Sequence, residues 1–377
     1  MTQTALFRLP QELSKIVEAN TMKSPELSHD TAEFEVAAQF ASDGKITESC
    51  ALKIVHLLDT QGFAVITDLL DKDEADHGLN IVRKYLEDPQ RQKGEFASQT
   101  DMLYGRRDFC PLPSNPDVLD YAASFAQRLQ PAISEYCGNT RKVLEISTMT
   151  SYQGASHQYI HRDPDGVLCL FAAVDDVTPE QGGTVFVPGT HKFSGADMMF
   201  EGQANLLSGL YQARCNYSIL KHNLKTLWTL RKSKSFTLDR REWLDRVFST
   251  RYDNHQPNLF RFILGKNSVF SFSLRTLFQI RKHRQTLARY FRLVQTAPAR
   301  GTVILYRSDM LHAGPDNRTD NPRYFFGMSI ARDVVFEEQW REGYSSHESL
   351  LDNPQNYGDL LAYPQQQSGD LDPAKAA

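Results

Sequence analysis

Two imidazoles and a carboxylate stand out as residues that could do chemistry together: His161 and Asp163 in the run His161-Arg162-Asp163, and the distant His312. Two histidines with one carboxylate can hold a single iron(II) ion and leave coordination positions open. Arg323 follows His312 by eleven residues, and its planar guanidinium could grip a carboxylate co-substrate beside such an ion. This combination points to oxygen-activating chemistry. In a strand, residues two apart face the same side, so His161 and Asp163 could enter one cavity while Arg162 points away. By itself a His-x-Asp triplet is a common chance match.

The elements that must position these residues are legible as periodicities. Apolar residues recur at helical spacing over Glu48 to Leu58, and Gly62 ends that run. Phe63 to Ile66 reads as a strand. Asp71 is placed to cap a helix running to about Leu86, and Val118 to Tyr136 reads as one amphipathic helix stopped by Gly138. From Val143 the pattern changes to strands: Val143 to Tyr152, Val167 to Val174, Thr184 to Val187, Thr302 to Tyr306 and Arg323 to Ile330. Short strands punctuated by Gly and Pro indicate a sheet sandwich or jelly roll.

Several motifs surround the candidate ligands in a fixed order. They are Ser156-His157-Gln158-Tyr159-Ile160-His161-Arg162-Asp163, then Asp176-Val177-Thr178-Pro179-Glu180-Gln181-Gly182-Gly183-Thr184, then Pro188-Gly189-Thr190-His191. Gly301-Thr302, His312 and Pro322-Arg323 follow. In order and spacing this resembles the phytanoyl-CoA dioxygenase (PhyH-like) family of Fe(II)/2-oxoglutarate-dependent oxygenases, over about Val143 to Lys192 and Gly301 to Ile330.

The resemblance implies an α+β protein with a double-stranded β-helix (jelly roll, cupin-like) core, flanking N-terminal helices and a large, mainly helical insertion. It implies Fe(II) as cofactor, with 2-oxoglutarate and O2 as co-substrates. His161, Asp163 and His312 are then the metal ligands and Arg323 the clamp on the far carboxylate of 2-oxoglutarate. Phe171 would lie beside the co-substrate, and Thr184 would add a hydroxyl. Gly314 departs from the family, which often has a serine there touching the co-substrate. Related halogenases lack the carboxylate ligand, so Asp163 favours hydroxylation or a related oxidation.

Composition frames these expectations. The chain has 377 residues, 41% hydrophobic and 23% charged, as in a soluble globular protein. No apolar run reaches the length of a membrane span, and residues 1–10 do not resemble a secretory signal. Five scattered cysteines, Cys50, Cys110, Cys137, Cys169 and Cys215, fit a reducing, cytoplasmic setting. No Walker, Rossmann or nucleophile-elbow pattern occurs.

The expected organisation is an N-terminal extension (1–45), a catalytic domain (46–199 and 300–340), the insertion (200–299) as a lid, and a polar C-terminal tail (341–377). Between Glu201 and Arg300 stand 19 Lys and Arg against 5 Asp and Glu, a balance of +14; the whole chain is −4, so the rest carries −18. Three readings of this block stand: a solvated face, a grip on an acyl-CoA or other carrier-bound substrate, or a surface for nucleic acid or membrane, the last being disfavoured. A small-molecule substrate is expected. The alternative is a non-catalytic relative that docks an anionic partner. Tyr104, Arg106 and Arg107 read either as a surface loop or as contacts to an anionic substrate. His157 reads as pocket wall and His191 as structural.

Overall fold

The structure is a computed structural model, and it describes residues 27–92, 100–163, 165–193, 203–232, 242, 274–332, 346–353 and 355–369. Eleven strands among these residues form two sheets. They are β1 Leu27–Ser28, β2 Glu35–Ala37, β3 Phe63–Thr67, β4 Arg107–Pro111, β5 Val143–Ser151, β6 Val167–Ala173, β7 Val185–Phe186, β8 Leu293–Gln295, β9 Val303–Arg307, β10 His312–Ala313 and β11 Arg323–Ala331. The large sheet runs β2-β3-β9-β6-β11-β5-β4, and the small one runs β1-β8-β7-β10. The expected α+β sandwich is therefore present.

Strand alternation divides the large sheet into two faces. Ala64, Ile66, Leu168, Leu170, Ala172, Val303, Leu305, Phe326, Met328 and Ile330 point outward into the main core. Helices Glu48–Thr60, Lys72–Glu87, Pro116–Arg128, Gln130–Cys137 and Tyr357–Gly369 supply its other side. Each fully buried Leu, Ile or Phe there contributes about 1.5–3 kcal/mol. The inward face meets the small sheet through Phe63 of β3 and Phe186 of β7, whose rings stack with centroids 4.5 Å apart. Ile304, Tyr306, Val294 and Met310 pack around that pair.

Local signals set the helix ends. Asp71 and Glu74 form a reciprocal capping box, with Asp71 Oδ1 accepting from the Glu74 N–H at 2.9 Å and Glu74 Oε2 from the Asp71 N–H at 2.8 Å. The single helix expected over Val118 to Tyr136 is two, broken at Leu129, because Pro131 opens the second helix and cannot donate within the first.

Three expected boundaries shift. Glu35–Ala37 of the N-terminal extension pairs in parallel with β3. Leu293–Gln295, assigned by sequence to the insertion, is a strand between β1 and β7. The C-terminal segment is more than a polar tail: Tyr357 and Leu360 are fully buried, and the Tyr357 hydroxyl donates to the Ala126 carbonyl at 2.7 Å. Its last residues, 370–377, lie outside the described residues, as do Gln11 to Ala19, whose sequence reads as a short helix.

The described residues between 203 and 290 include three helices, Gln203–Lys232, Leu274–Lys282 and Arg284–Tyr290. Leu210, Tyr211, Cys215 and Ile219 of the long helix pack on the outer side of the small sheet, against Val185, Leu293 and Ala313. Residues 233–241 and 243–273, where a lid was expected, lie outside the described residues. No helix among the described residues is long and apolar enough to cross a membrane.

Candidate active site

The inward face of the large sheet is an ordered set of cross-strand rows. At one end Arg107 of β4, Ser151 of β5 and Arg323 of β11 stand side by side. Next come Phe109, Met149, Phe325 and Ala173. The following row includes Ser147, Gly327, Phe171 and Ile304. At the far end stand Glu145, Ser329, Cys169 and Tyr306. The ends are six residues apart on β11, about 20 Å at the usual strand rise. Most of these residues line one cavity of about 130 Å³, together with Gln158, His161, Asp163, Thr184 and His312.

His161 and His312 enter this cavity from facing backbone segments. The His161 N–H donates to the His312 carbonyl at 3.0 Å, and the His312 N–H returns a bond of 2.9 Å. Each ring has its Nδ1 against a nearby carbonyl, His161 on Tyr159 at 2.6 Å and His312 on Met310 at 2.9 Å. Nδ1 therefore carries the proton, and Nε2 keeps its lone pair for the cavity. Asp163 Oδ2 lies 3.3 Å from His312 Nε2, and Asp163 Oδ1 lies 3.9 Å from His161 Nε2. One donor atom from each of the three lies within 4.8 Å of the others, and this is the set among the described residues that could hold a metal ion. Burial alone would lower the pKa of His312, but the Asp163 carboxylate outweighs it and the net shift is upward. The same carboxylate that stabilises an imidazolium would stabilise a divalent cation. Imidazole and carboxylate donors with open positions suit iron(II).

Arg162 points away, as strand alternation expects, and donates to Ser208 Oγ at 2.8 Å and the Thr190 carbonyl at 3.0 Å. The insertion helix also holds the other neighbour of His161. Asn216 accepts from the Ile160 N–H at 2.8 Å and donates to the Ile160 carbonyl at 3.1 Å, where Gln212 also donates at 3.1 Å. The described part of the insertion braces the ligand segment from behind.

Arg323 is 2% exposed. One Nη donates to the Gly182 and Gly183 carbonyls, the latter at 2.6 Å, while its Nε has no partner. Among the described residues no carboxylate pairs with it. Burial, and then the nearby Arg107, push its pKa well below the ordinary arginine value. Arg107 has a buried counter-charge in Asp101, 3.7 Å from its Nε, whereas Arg323 keeps an unfilled N–H donor and no carboxylate partner among the described residues, which suits an anionic occupant. The turn expected around Gly182-Gly183 thus serves to seat this guanidinium.

Gly314 is explained by Arg107. A Cβ on Gly314 would lie 2.3 Å from Arg107 Nη1 and 2.7 Å from Gln158 Oε1. The space of the family's serine is taken by a guanidinium, which donates to the carbonyls of Ser156 at 2.9 Å and Pro315 at 3.2 Å. Arg107 is thus buried cavity wall and not surface loop. Arg106 is also buried, in a two-bond pair with Glu242, each bond 3.1 Å. Tyr104 is exposed.

Phe171 lines the cavity and stacks on Phe325 at 5.7 Å; the missing side chain at Gly327 lets its ring lie 3.0 Å from where a Cβ would stand. Thr184 also lines it, its N–H held by Thr296 Oγ1 at 2.9 Å. His157 is buried with Nδ1 on the Gln158 carbonyl at 2.7 Å, and it neither joins the metal set nor lines the cavity. His191 is structural, its Nε2 2.9 Å from the Asp59 carbonyl.

Sequence reasoning missed Glu145, Tyr306 and Gln158. Glu145 gave a signal: a lone carboxylate inside the alternating strand Val143–Ser151. It is 8% exposed, and burial chiefly raises its pKa, to about 7, with Asp163 pushing the same way against a Ser147 hydrogen bond.

The sequence model of the phytanoyl-CoA dioxygenase (PhyH) family matches residues 58–205. No curated protein matches the chain. Among solved structures, the non-heme alpha ketoglutarate dependent epimerase SnoN from nogalamycin biosynthesis has 14% identity and a TM-score of 0.43, covering 76% of this chain and 84% of its own. HygX from Streptomyces hygroscopicus, with nickel, 2-oxoglutarate and hygromycin B bound, has 13% identity and a TM-score of 0.40, covering 75% and 87%. EctD from S. alaskensis, in its apoform, has 15% identity and a TM-score of 0.42, covering 78% and 80%. The matched stretch, residues 58–205, includes His161 and Asp163 and stops short of His312 and Arg323.

Proposed function

We propose that the protein is an Fe(II)- and 2-oxoglutarate-dependent oxygenase that oxidises a C–H bond of a small or medium organic substrate. One observation carries this reading: the His161, Asp163 and His312 donors meet in the same cavity as a buried arginine that has no carboxylate partner among the described residues. When bound, the iron supplies activation of dioxygen, with 2-oxoglutarate consumed to succinate and CO2.

The chain's own residues supply placement. His161 Nε2, His312 Nε2 and the Asp163 carboxylate hold the ion, and the Tyr159 and Met310 carbonyls fix the two rings. Arg323 holds the far carboxylate of the keto acid, with Arg107 adding positive potential. Phe171, Phe325 and Met149 wall off water along the keto acid's length. Asp163 occupies the ligand position that a halide would need, so hydroxylation or a related oxidation is favoured. Of the basic residues that suggested a carrier-bound substrate, Arg281, Lys282 and Arg284 are exposed and do not line the cavity, while 234, 240 and 241 lie outside the described residues.

The test is spectroscopic. Fe(II) and 2-oxoglutarate are added without oxygen, and the weak visible charge-transfer band of the keto acid on iron is sought. It is expected in the wild type and absent in His161→Ala. A folded, iron-loaded wild type without the band would overturn the reading.

A further inference from the structure

The cavity wall has a basic end and an acidic end. The basic end, Arg107 and Arg323, suits the anionic co-substrate. The acidic end is not used by the reading above. Glu145 is, with Asp163, one of two acids lining the cavity. Its Oε1 accepts from Ser147 Oγ at 2.8 Å. Among the described residues no lysine, arginine or histidine pairs with it. A carboxylate offers about four acceptor positions, and burying it without a counter-charge costs several kcal/mol, so burial favours the protonated form and a cationic neighbour would restore the charge.

The neighbours of Glu145 are arranged as acceptors as well. Ser329 Oγ donates to Cys169 Sγ at 3.7 Å, and the Tyr306 hydroxyl bonds the same thiol. Each hydroxyl oxygen has lone pairs that can accept from a donor in the cavity. Cys169 lies between Ser329 and Tyr306 in the strand register, so the row runs without a break from Glu145 to Tyr306. It presents a carboxylate and two hydroxyl oxygens, and no cationic donor.

We propose that Glu145, with Ser329 and Tyr306, forms the seat for a protonated amino group of the substrate, so the enzyme acts on an amine. This rests on the oxygenase reading for its chemistry and deepens it by naming the substrate class. An ammonium group brings three N–H donors and the missing counter-charge, whereas a hydroxyl brings one donor and no charge. An anionic head group would meet both Glu145 and Asp163 at this end. The amine therefore sits at the opposite end of the cavity wall from Arg323.

The test uses three probes of equal length: hexylamine, 1-hexanol and hexanoate. Each is titrated calorimetrically into the full chain, metal-free and with Fe(II) and 2-oxoglutarate under anaerobic conditions. Hexylamine is expected to bind at least about tenfold more tightly than hexanol, and hexanoate more weakly still. Glu145→Gln, nearly isosteric, is expected to remove at least about tenfold of the hexylamine affinity. Glu145→Asp keeps the charge and is expected to restore part of it. Equal binding of hexanol and hexylamine, wild-type amine binding by Glu145→Gln, or no amine binding at millimolar concentration would each overturn the proposal. The charge-transfer band read in the same samples separates the two ideas: its absence strikes the oxygenase reading, whereas the amine preference is scored in the metal-free protein.

Discussion

His161 and His312 are bound to each other through their backbones before any metal arrives, by reciprocal N–H to carbonyl bonds of 3.0 and 2.9 Å. Their side chains then diverge from that bridge into the cavity, with ring centroids 4.6 Å apart. The bridge does not depend on the imidazoles. His312→Ala should therefore keep its melting temperature within a few degrees of the metal-free wild type and lose iron affinity by more than about 100-fold, beyond what loss of one supporting hydrogen bond costs. Metal content after dialysis and a thermal melt check both halves. A variant that retains stoichiometric iron would remove His312 from the ligand set.

The Asn216 side chain binds both backbone groups of Ile160, the residue before His161. Replacing it by leucine leaves the buried Ile160 N–H unsatisfied, at a cost of about 1–3 kcal/mol, while the carbonyl keeps its bond from Gln212. Asn216→Leu should lower stability and weaken iron binding about 10–100-fold by loosening the His161 segment. Asn216→Asp, which keeps an acceptor but loses the donor, should fall between. Iron affinity unchanged in Asn216→Leu would show that the helix braces the fold and not the ligand.

Arg323 is seated by carbonyls, so its remaining donors hold a fixed direction. Lysine keeps the charge but not the fork. Losing one charge-assisted hydrogen bond costs about 1.5–3 kcal/mol, so Arg323→Lys should weaken 2-oxoglutarate binding about 10–100-fold. Anaerobic titration of the charge-transfer band measures it. Iron affinity measured without the keto acid should not move.

A side chain at Gly314 would have to displace the Arg107 guanidinium, whose Nη1 lies 2.3 Å from the Cβ position. Gly314→Ser should destabilise the protein by about 1–3 kcal/mol through overpacking. Arg107→Ala should relieve that clash, so the double variant should be more stable than the sum of the two single effects. Denaturant midpoints of the four proteins decide it; strict additivity would mean that the two residues do not compete for space.

His157 is a pH-dependent weak point. Burial, chiefly, lowers its pKa from 6.5, despite Asp316 and the Gln158 carbonyl, and Arg107 adds to the lowering. A folded pKa below the unfolded one means that the unfolded chain binds the extra proton first. Stability contributed by the neutral ring is thus full above about 6.5 and declines as pH falls below it, by at most about 1.4 kcal/mol per pH unit. His157→Gln should show a shallower loss of stability between about pH 6.5 and 5 than the wild type. Parallel curves would show that His157 keeps its ordinary titration.

Much of the fold was legible because its signals are local. The helix at Glu48–Thr60, the Asp71 cap and strands β3, β5, β6, β9 and β11 follow from periodicity and capping chemistry that act within a few residues. Strands β8 and β10 were not, because two or three residues carry no period; they exist only through partners such as Val185 and Phe186. The break at Leu129 was overlooked although Pro131 marked it.

The sequence by itself picked out the candidate ligands: His161, Asp163 and His312 in an ordered set of motifs, with Arg323 beyond them. Local chemistry writes such motifs into neighbouring residues. Tertiary structure alone decided what the cavity contains besides them. Arg107 reads as a loop arginine until β4 sets it level with Ser151 and Arg323, and Glu145 reads as a stray charge until β11 and β6 place Ser329 and Cys169 beside it. Those relationships depend on strand register, which joins residues far apart in sequence and is fixed by burial of the opposite face of the sheet.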